Sequence, residues 1–286
     1  MCPMTRAYWS QVKASGLSVP GDRPLADLTT ELTTMLGSPD PHMRDGLAWP
    51  TLATWVDRGV YDDLISGLGD GMAAGLTVGL GEEGTDSVFR RAFSVLVLAE
   101  CIDRNNKEDL VPAAKVMEWG DRIATWYLRE KDVRGFVPDK GWAHTVAHGA
   151  DAIGVLAESP HFGRNELTVM LDVLGDRVLT PVDAPYTHGE PDRMAMATMT
   201  VLRRNILPLS VVEPWVERLA SGARLPVGSA TDPFLPAANA ESFLRALYLQ
   251  VALAPSAPEM RSDLLLELVA ALRSTNPTYL GGPTDR

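Results

Sequence analysis

Three residues whose side chains can do chemistry lie close together in the stretch GWAHTVAHGAD, residues 141–151. His144 and His148 are four residues apart, and Asp151 follows three residues later. On an α-helix, residues three or four positions apart lie on the same side, so these side chains would converge. The spacing makes His144, His148 and Asp151 the candidate catalytic residues.

Three roles are consistent with the types and spacing of these three residues. Two imidazoles at i and i+4 can bind one divalent metal ion such as zinc, with the carboxylate of Asp151 as a third ligand. Alternatively, the aspartate can accept a hydrogen bond from one imidazole and orient it as the base in proton transfer. In the third use, the side chains only hydrogen-bond neighbouring helices. The sequence leaves all three open, so it makes no cofactor certain.

The helix predicted at 142–158 divides into two faces. Successive residues lie about 100° apart, which puts Trp142, Val146 and Ile153 on a packing face and the two histidines with Asp151 nearly opposite. Small residues beside the histidines would let a backbone or a ligand approach closely. Because glycine costs roughly 1 kcal/mol relative to alanine inside a helix, Gly149 predicts a packing or functional reason for its presence.

Apolar residues recur at helical spacing along almost the whole chain, as Val116, Trp119 and Ile123 do within 110–130. Further helices are predicted at 5–14, 24–36, 40–58, 61–76, 85–104, 164–178, 191–204, 210–222, 240–253 and 263–273, with a short extended turn at 133–141. About a dozen helices joined by short turns favour an all-α fold of antiparallel helix pairs, either an α-solenoid of the armadillo or HEAT type or an α/α toroid.

We expect one helical domain over 1–286, with residues 1–20 as a candidate for a loosely attached N-terminal helix. The looser connections at 180–192 and 224–240 are rich in proline and glycine. Loops of this length are where a binding site or lid could lie.

Composition excludes several classes of partner. The chain has 286 residues, 45% hydrophobic and 22% charged, as in folded globular proteins. Its net charge of −11 disfavours nucleic acid and anionic lipid surfaces, and no apolar run reaches the roughly 18 to 20 residues of a membrane span. The N-terminal segment does not resemble a secretory signal, and Cys2 and Cys101 are poor candidates for a disulfide, which predicts a cytoplasmic protein. The sequence does not indicate an oligomeric state.

The chain resembles a bacterial, all-helical family of unknown function with the signature GWAH-x-x-AHGAD. The resemblance rests on GWAHTVAHGAD together with the preceding segments EKDVRGFV and TDSVFRRAFSVLVLAE, and it covers roughly residues 25–270. It implies an armadillo-like or toroidal cytoplasmic protein and supplies no reaction. Ala92, where a second serine is expected, and Pro50, within the predicted helix of Arg44, depart from the pattern. The further positions that the resemblance implies are Arg44, Asp45, Arg91, Ser94, Asp132 and Arg134.

Six residues are predicted to bind a ligand around the histidines. Arg91 or Arg134 would clamp an anionic group, and the loop carrying His188 and Glu190 would complete the pocket. The structural alternative is an ion pair of Arg44 with its neighbour and a purely structural Arg91. The six residues are Arg44, Arg91, Asp132, Arg134, His188 and Glu190.

The sequence leads to two hypotheses of function. The first is an enzyme with a His-His-Asp polar cleft that acts on a small molecule or peptide, through histidine-based proton transfer, elimination or cyclisation, or through metal-assisted hydrolysis. The second is a non-catalytic helical-repeat protein that binds a partner protein or peptide in a concave groove. A deep polar cavity would favour the enzyme, and a broad apolar groove would favour the binding protein.

Overall fold

The structure is a computed structural model that describes residues 3–225, 232 and 234–280, with the backbone alone for residues 3–5. The described residues form mainly α-helices, which confirms the predicted all-α class. The chain divides into two compact units, Met1–Ala152 and Ile153–Arg286, and each is described by itself. The single domain and the solenoid or toroid architecture stay predictions.

The described residues of the first unit form seven complete α-helices, a short hairpin and the start of an eighth helix, with a 3-10 turn at Asp62–Leu64. Its elements are α1 (Pro3–Ala14), α2 (Leu25–Met35), α3 (Pro41–Met43), α4 (Trp49–Asp57), α5 (Ile65–Gly75), α6 (Ser87–Glu108), α7 (Ala113–Arg129), β1 (Phe136–Val137), β2 (Gly141–Trp142) and α8 (Thr145–Ala157).

The predicted helix at 40–58 is helical over residues 41–57 but changes type before Pro50. Proline has no N–H, and its ring crowds the carbonyl four residues earlier. Between α3 and α4 the chain forms a π-helical turn, Arg44–Ala48, in which the Trp49 N–H donates to the Arg44 carbonyl. This wider turn accommodates Pro50 without ending the helical path.

Helix α1 is firmly packed into the first unit. Trp9 is fully buried, and its ring centroid lies 6.1 Å from that of Trp55. The Trp55 indole N–H in turn donates to the carbonyl of Leu17 at 2.8 Å. These contacts involve Trp9 and Leu17, and the loose attachment expected of residues 1–20 stays a prediction.

Helix α6 packs against α4, α5 and α7 and forms the centre of the first unit. The extended turn predicted at 133–141 is a two-stranded antiparallel hairpin in which Phe136 pairs with Trp142. Val137 and Ala143 pack with Val88 and Phe89 at the start of α6. The hairpin therefore places the chain just before α8 against α6.

The second unit contains α9 (Arg164–Leu179), α10 (Glu190–Arg203), α11 (Leu209–Gly222), α12 (Leu235–Leu253), α13 (Arg261–Thr275) and α14 (Pro277–Leu280). Helix α12 packs against α9, α10 and α13, and it begins before the predicted residue 240. Of the predicted connection at 224–240, residues 226–231 and 233 lie outside the described residues, as does Cys2. None of the helices in the described ranges has the length and apolar character that crossing a membrane needs.

Candidate functional site

The helix that carries the histidines begins later than predicted. Helix α8 starts at Thr145 instead of 142, and Trp142 lies in β2 with 40% of its surface exposed. The predicted packing face was therefore wrong at Trp142, although Val146 and Ile153 are buried. The cause is a main-chain contact before the helix, because the Ala143 N–H donates to the Gly135 carbonyl at 2.9 Å.

His144 precedes α8 and does not lie within it. Its N–H donates to the Arg134 carbonyl at 3.0 Å, and its φ of 54° is left-handed, a region that histidine adopts more often than most residues. Its own carbonyl accepts the His148 N–H at 2.9 Å and so closes the first turn. The i and i+4 spacing brings the two histidines together, but from either side of the helix start.

The two imidazole rings lie edge to face, with centroids 5.7 Å apart and an interplanar angle of 72°. Trp142 stacks on His144 at 4.5 Å, and Phe93 from α6 contacts His148 edge-on at 5.3 Å. Both histidines are buried, at 9% and 7% exposed. Phe93, Trp142, His144 and His148 are called the histidine cluster below. The polar cleft expected around the two histidines stays a prediction.

A main-chain carbonyl orients His148. Its Nδ1 lies 3.1 Å from the carbonyl oxygen of Ala92. Because a carbonyl oxygen only accepts hydrogen bonds, Nδ1 donates, and in the neutral ring Nε2 carries the lone pair. The main chain of residue 92 makes this contact, so the alanine found where the family resemblance suggested serine leaves it intact.

Asp151 is a half-buried residue of α8, three positions after His148. This i and i+3 spacing places both residues on one side of the helix. The contact that orients Nδ1 of His148 comes from the Ala92 carbonyl. The predicted hydrogen bond by which Asp151 would orient an imidazole stays a prediction. Within the described part of the chain, no three side chains of His, Cys, Asp or Glu are grouped so as to hold a metal ion. The three-ligand metal site likewise stays a prediction.

Close packing explains the presence of Gly149. The sequence had suggested either a packing reason or a functional reason. A Cβ at this position would lie 2.3 Å from Cδ2 of Tyr127 and 3.1 Å from Cζ3 of Trp126. The Tyr127 hydroxyl also donates to the Val146 carbonyl at 3.0 Å. The absent side chain lets the aromatic residues of α7 lie directly on α8.

Arg91 is fully buried, and its guanidinium is bound on two edges. Nε and Nη2 donate to the two carboxylate oxygens of Glu130 at 2.5 and 2.8 Å. Nη1 donates to the carbonyls of Val78 and Gly79, both at 2.9 Å. Such bidentate ion pairs are strong and specific in geometry. These bonds support the structural alternative for Arg91 and give no support to its predicted role as an anion clamp.

Arg44 is also fully buried, and the expected ion pair with Asp45 is present at 2.8 Å. Its guanidinium carbon lies 4.0 Å from the ring centroid of Phe89 and 4.9 Å from that of Phe93. Nη2 donates to the Lys140 carbonyl at 2.7 Å and so ties the π turn to the hairpin. Burial lowers the pKa of Arg44 and raises the pKa of Asp45, so desolvation outweighs their mutual attraction.

Asp132 and Arg134 form an ion pair just before the hairpin. Arg134 donates from Nε at 2.7 Å and from Nη2 at 2.6 Å to the buried carboxylate of Asp132. The Asp132 carbonyl accepts the Thr145 hydroxyl at 2.7 Å, which fastens the pair to the first residue of α8. The side chain of Arg134 is partly exposed, unlike those of Arg44 and Arg91.

His188 and Glu190 belong to the second unit. Glu190 is buried at the start of α10, and its carboxylate accepts the main-chain N–H of His188 at 2.7 Å. Thr187 Oγ1 lies 3.3 Å from Nδ1 of His188. The closure of the histidine pocket by this loop stays a prediction.

Comparison with family models shows the family of the chain. The model described as a protein of unknown function, DUF2785, matches residues 76–249, more than half of the 286 residues. The chain belongs to this family. The DUF2785 match includes the histidine cluster, Arg91 and Glu130, and it leaves Arg44 and Asp45 outside. Searches of curated proteins and of solved structures give no significant match.

Proposed function

We propose that the histidine cluster is a proton-transfer site for a small planar organic molecule, with His148 as the base. The observation that carries the proposal is the pair of buried imidazoles in edge contact at 5.7 Å, one of them held by the Ala92 carbonyl. A ring held at Nδ1 exchanges its proton at Nε2, in a fixed orientation. Preorganised orientation of this kind is what a general base needs.

The backbone conformation of His144 supports a functional role for His144 and His148. A non-glycine residue in the left-handed region costs on the order of 1–3 kcal/mol and persists where its surroundings hold it, often at functional sites. His144 combines this conformation with a buried ring stacked on Trp142. The other described non-glycine residues with positive φ are Leu17, Asp109, Asp139 and Asn205.

An exposed aromatic surface beside the imidazoles suggests the class of substrate. Phe136 and Trp142 are 49% and 40% exposed, and their ring centroids lie 5.0 Å apart in edge contact. Aromatic faces bind planar groups by offset stacking. A planar substrate that stacks on this surface would be separated from His144 only by the Trp142 ring, because His144 stacks on the other face of that ring.

The chemical step moves one proton. The acidic bond of the substrate gives its proton to Nε2 of His148, which leaves the conjugate base and an imidazolium ion. The imidazolium then gives the proton to another atom of this conjugate base, which yields the product. The carboxylate of Asp151, on the same side of α8, would stabilise the imidazolium.

Hydrolysis of 4-nitrophenyl acetate by the full-length protein tests the proposal. The unprotonated Nε2 of an imidazole attacks the carbonyl carbon of this planar ester and releases 4-nitrophenolate, and water then hydrolyses the acetylimidazole to acetate. Because His148→Gln has no unprotonated ring nitrogen, we expect this variant to lose at least about tenfold of the rate above buffer. His42→Gln, at an exposed histidine of the same unit, should hydrolyse the ester like the wild type. Equal rates for all three proteins, with intact circular dichroism, would contradict the assignment.

Metal-assisted hydrolysis is the second candidate. The 5.7 Å between ring centroids suits two imidazoles on one ion, because each zinc–nitrogen bond is about 2 Å long. Elemental analysis of the tag-free protein distinguishes the two: stoichiometric zinc that disappears in His144→Ala supports a metal site, whereas a metal-free active protein supports the metal-free base.

The buried free thiol of Cys101 supports the predicted reducing cytoplasm.

A further inference from the structure

A cavity of about 380 Å³ that opens to solvent lies between α2 and α5 in the first unit. Leu25 and Thr29 from α2, Leu68 and Met72 from α5, and Arg90 from α6 line it. Pockets that hold small molecules have volumes upward of about 300 Å³. The lining residues are separate from the histidine cluster.

Arg90 brings a positive charge to this cavity without a partner. Across the residues that the structure describes, its guanidinium makes no hydrogen bond and no ion pair, whereas its neighbour Arg91 is held by Glu130. The side chain is half-buried, and this burial lowers the pKa of Arg90, with no carboxylate raising it. Arginine nevertheless keeps its charge in proteins. An anion inside the cavity would complete its contacts.

Two glycines of α5 keep the cavity open. Gly67 and Gly71 line it one helical turn apart, and a Cβ at either would meet no atom within 4 Å. By contrast, a Cβ at Gly69 of the same helix would lie 2.3 Å from the ring of Trp119. Glycine is unfavourable in a helix relative to almost any other residue. Packing accounts for Gly69 but not for Gly67 and Gly71.

The other residues that line the cavity supply alkyl groups, together with hydroxyl groups that already donate their protons in hydrogen bonds. Thr29 and Thr30 each donate to the main-chain carbonyl four residues earlier at 2.8 Å. The hydroxyl of Tyr61 lies 2.8 Å from that of Thr29 and, since Thr29 already donates, it is the donor of that bond. Arg90 is thus the donor that an anion would meet, and leucine, methionine and threonine methyl groups would contact an alkyl chain.

We propose that this cavity binds a small aliphatic carboxylate, with the carboxylate on Arg90 and the alkyl chain along Gly67 and Gly71. Guanidinium and carboxylate groups match in bidentate geometry. Transfer of the chain from water to the leucine and methionine side chains is favourable. The proposal is independent of the reaction assigned to the histidine cluster.

Calorimetric titration of the full-length protein with octanoate and with 1-octanol tests the charge requirement. We expect octanoate to bind at least about tenfold more tightly than 1-octanol, because a hydrogen-bonded charge pair contributes about that factor. Arg90→Gln should remove this preference. Arg122→Gln makes the same change in charge at an exposed arginine of α7 and should bind octanoate like the wild type.

Filling the cavity separates binding from folding. Gly67→Leu combined with Gly71→Leu introduces good helix formers where no atom is within 4 Å of the new Cβ, so Tm should be unchanged or higher while octanoate binding is lost. Three results would overturn the proposal: no binding of millimolar octanoate to the wild type, equal affinity of Arg90→Gln and wild type for octanoate, or unchanged affinity in the leucine variant.

Discussion

Replacement of Gly149 by alanine tests the contact between α7 and α8 on which the histidine cluster depends. The added Cβ would lie 2.3 Å from Cδ2 and 2.4 Å from Cε2 of Tyr127, and 3.1 Å from Cζ3 of Trp126. Both rings are fully buried. They cannot move aside as the end of a flexible side chain can, so one of the two helices must shift.

Two opposing effects set the size of the change. Alanine favours the helix by about 1 kcal/mol over glycine, whereas overpacking a core costs about 1–3 kcal/mol. A shift also threatens the hydrogen bond from Tyr127 to the Val146 carbonyl, which contributes about 1 kcal/mol. We therefore expect Gly149→Ala to lower the free energy of unfolding by about 1–3 kcal/mol.

Denaturant unfolding followed by tryptophan fluorescence measures this change, and Gly154→Ala on the same helix is the matched control. Its Cβ would lie 3.6 Å from the nearest atom, Cα of Ala197, an ordinary van der Waals contact. Helix propensity then dominates, and we expect a gain of up to about 1 kcal/mol. If Gly149→Ala were as stable as the wild type, or if both variants lost the same stability, the contact of Gly149 with Tyr127 and Trp126 would not limit the residue at this position.

Three further predictions follow from buried or exposed side chains. Arg91→Met removes the cation that pairs with the buried carboxylate of Glu130 and should cost about 3–5 kcal/mol in denaturant unfolding; the double variant with Glu130→Met should recover part of this, and no recovery would contradict the pairing. Burial raises the pKa of Tyr61 to about 12, from about 10 in the unfolded chain, so the folded state holds its proton and stability falls as pH rises across this interval. Tyr61→Phe should remove that part of the slope, and an unchanged slope would argue against the burial of the hydroxyl. Trp142→Ala, at a side chain 40% exposed, should raise KM for 4-nitrophenyl acetate with little change in stability; an unchanged KM would exclude stacking on this ring.

Hydrophobic periodicity was sufficient to predict most of the helices, though not all of their bounds. Val116, Trp119 and Ile123 are all fully buried on α7, as their spacing indicated. The start of α8 was missed because the pairing of Phe136 with Trp142 across the hairpin is a tertiary contact. Hydrophobic periodicity indicates which residues share a face of a helix. It does not indicate which other segment forms hydrogen bonds with the main chain at the end of that helix.

The site was predictable only in part. The four-residue spacing identified the two histidines that come into contact, although His144 reaches His148 from outside the helix. The carbonyl of Ala92 could not be found, since every residue type supplies one. Glu130 was also missed, because a glutamate at a helix end is usually solvated, and its partner Arg91 is 39 positions away in the sequence.

We propose that His148 exchanges its proton at Nε2 because Nδ1 donates to the Ala92 carbonyl. Long-range proton–nitrogen correlation spectra of the imidazole rings measure this directly, with His144→Gln and His148→Gln variants for assignment. We predict that the neutral ring of His148 carries its proton on Nδ1 and that Nε2 is unprotonated. A neutral ring protonated at Nε2 would contradict the account, because Nδ1 could then not donate to Ala92.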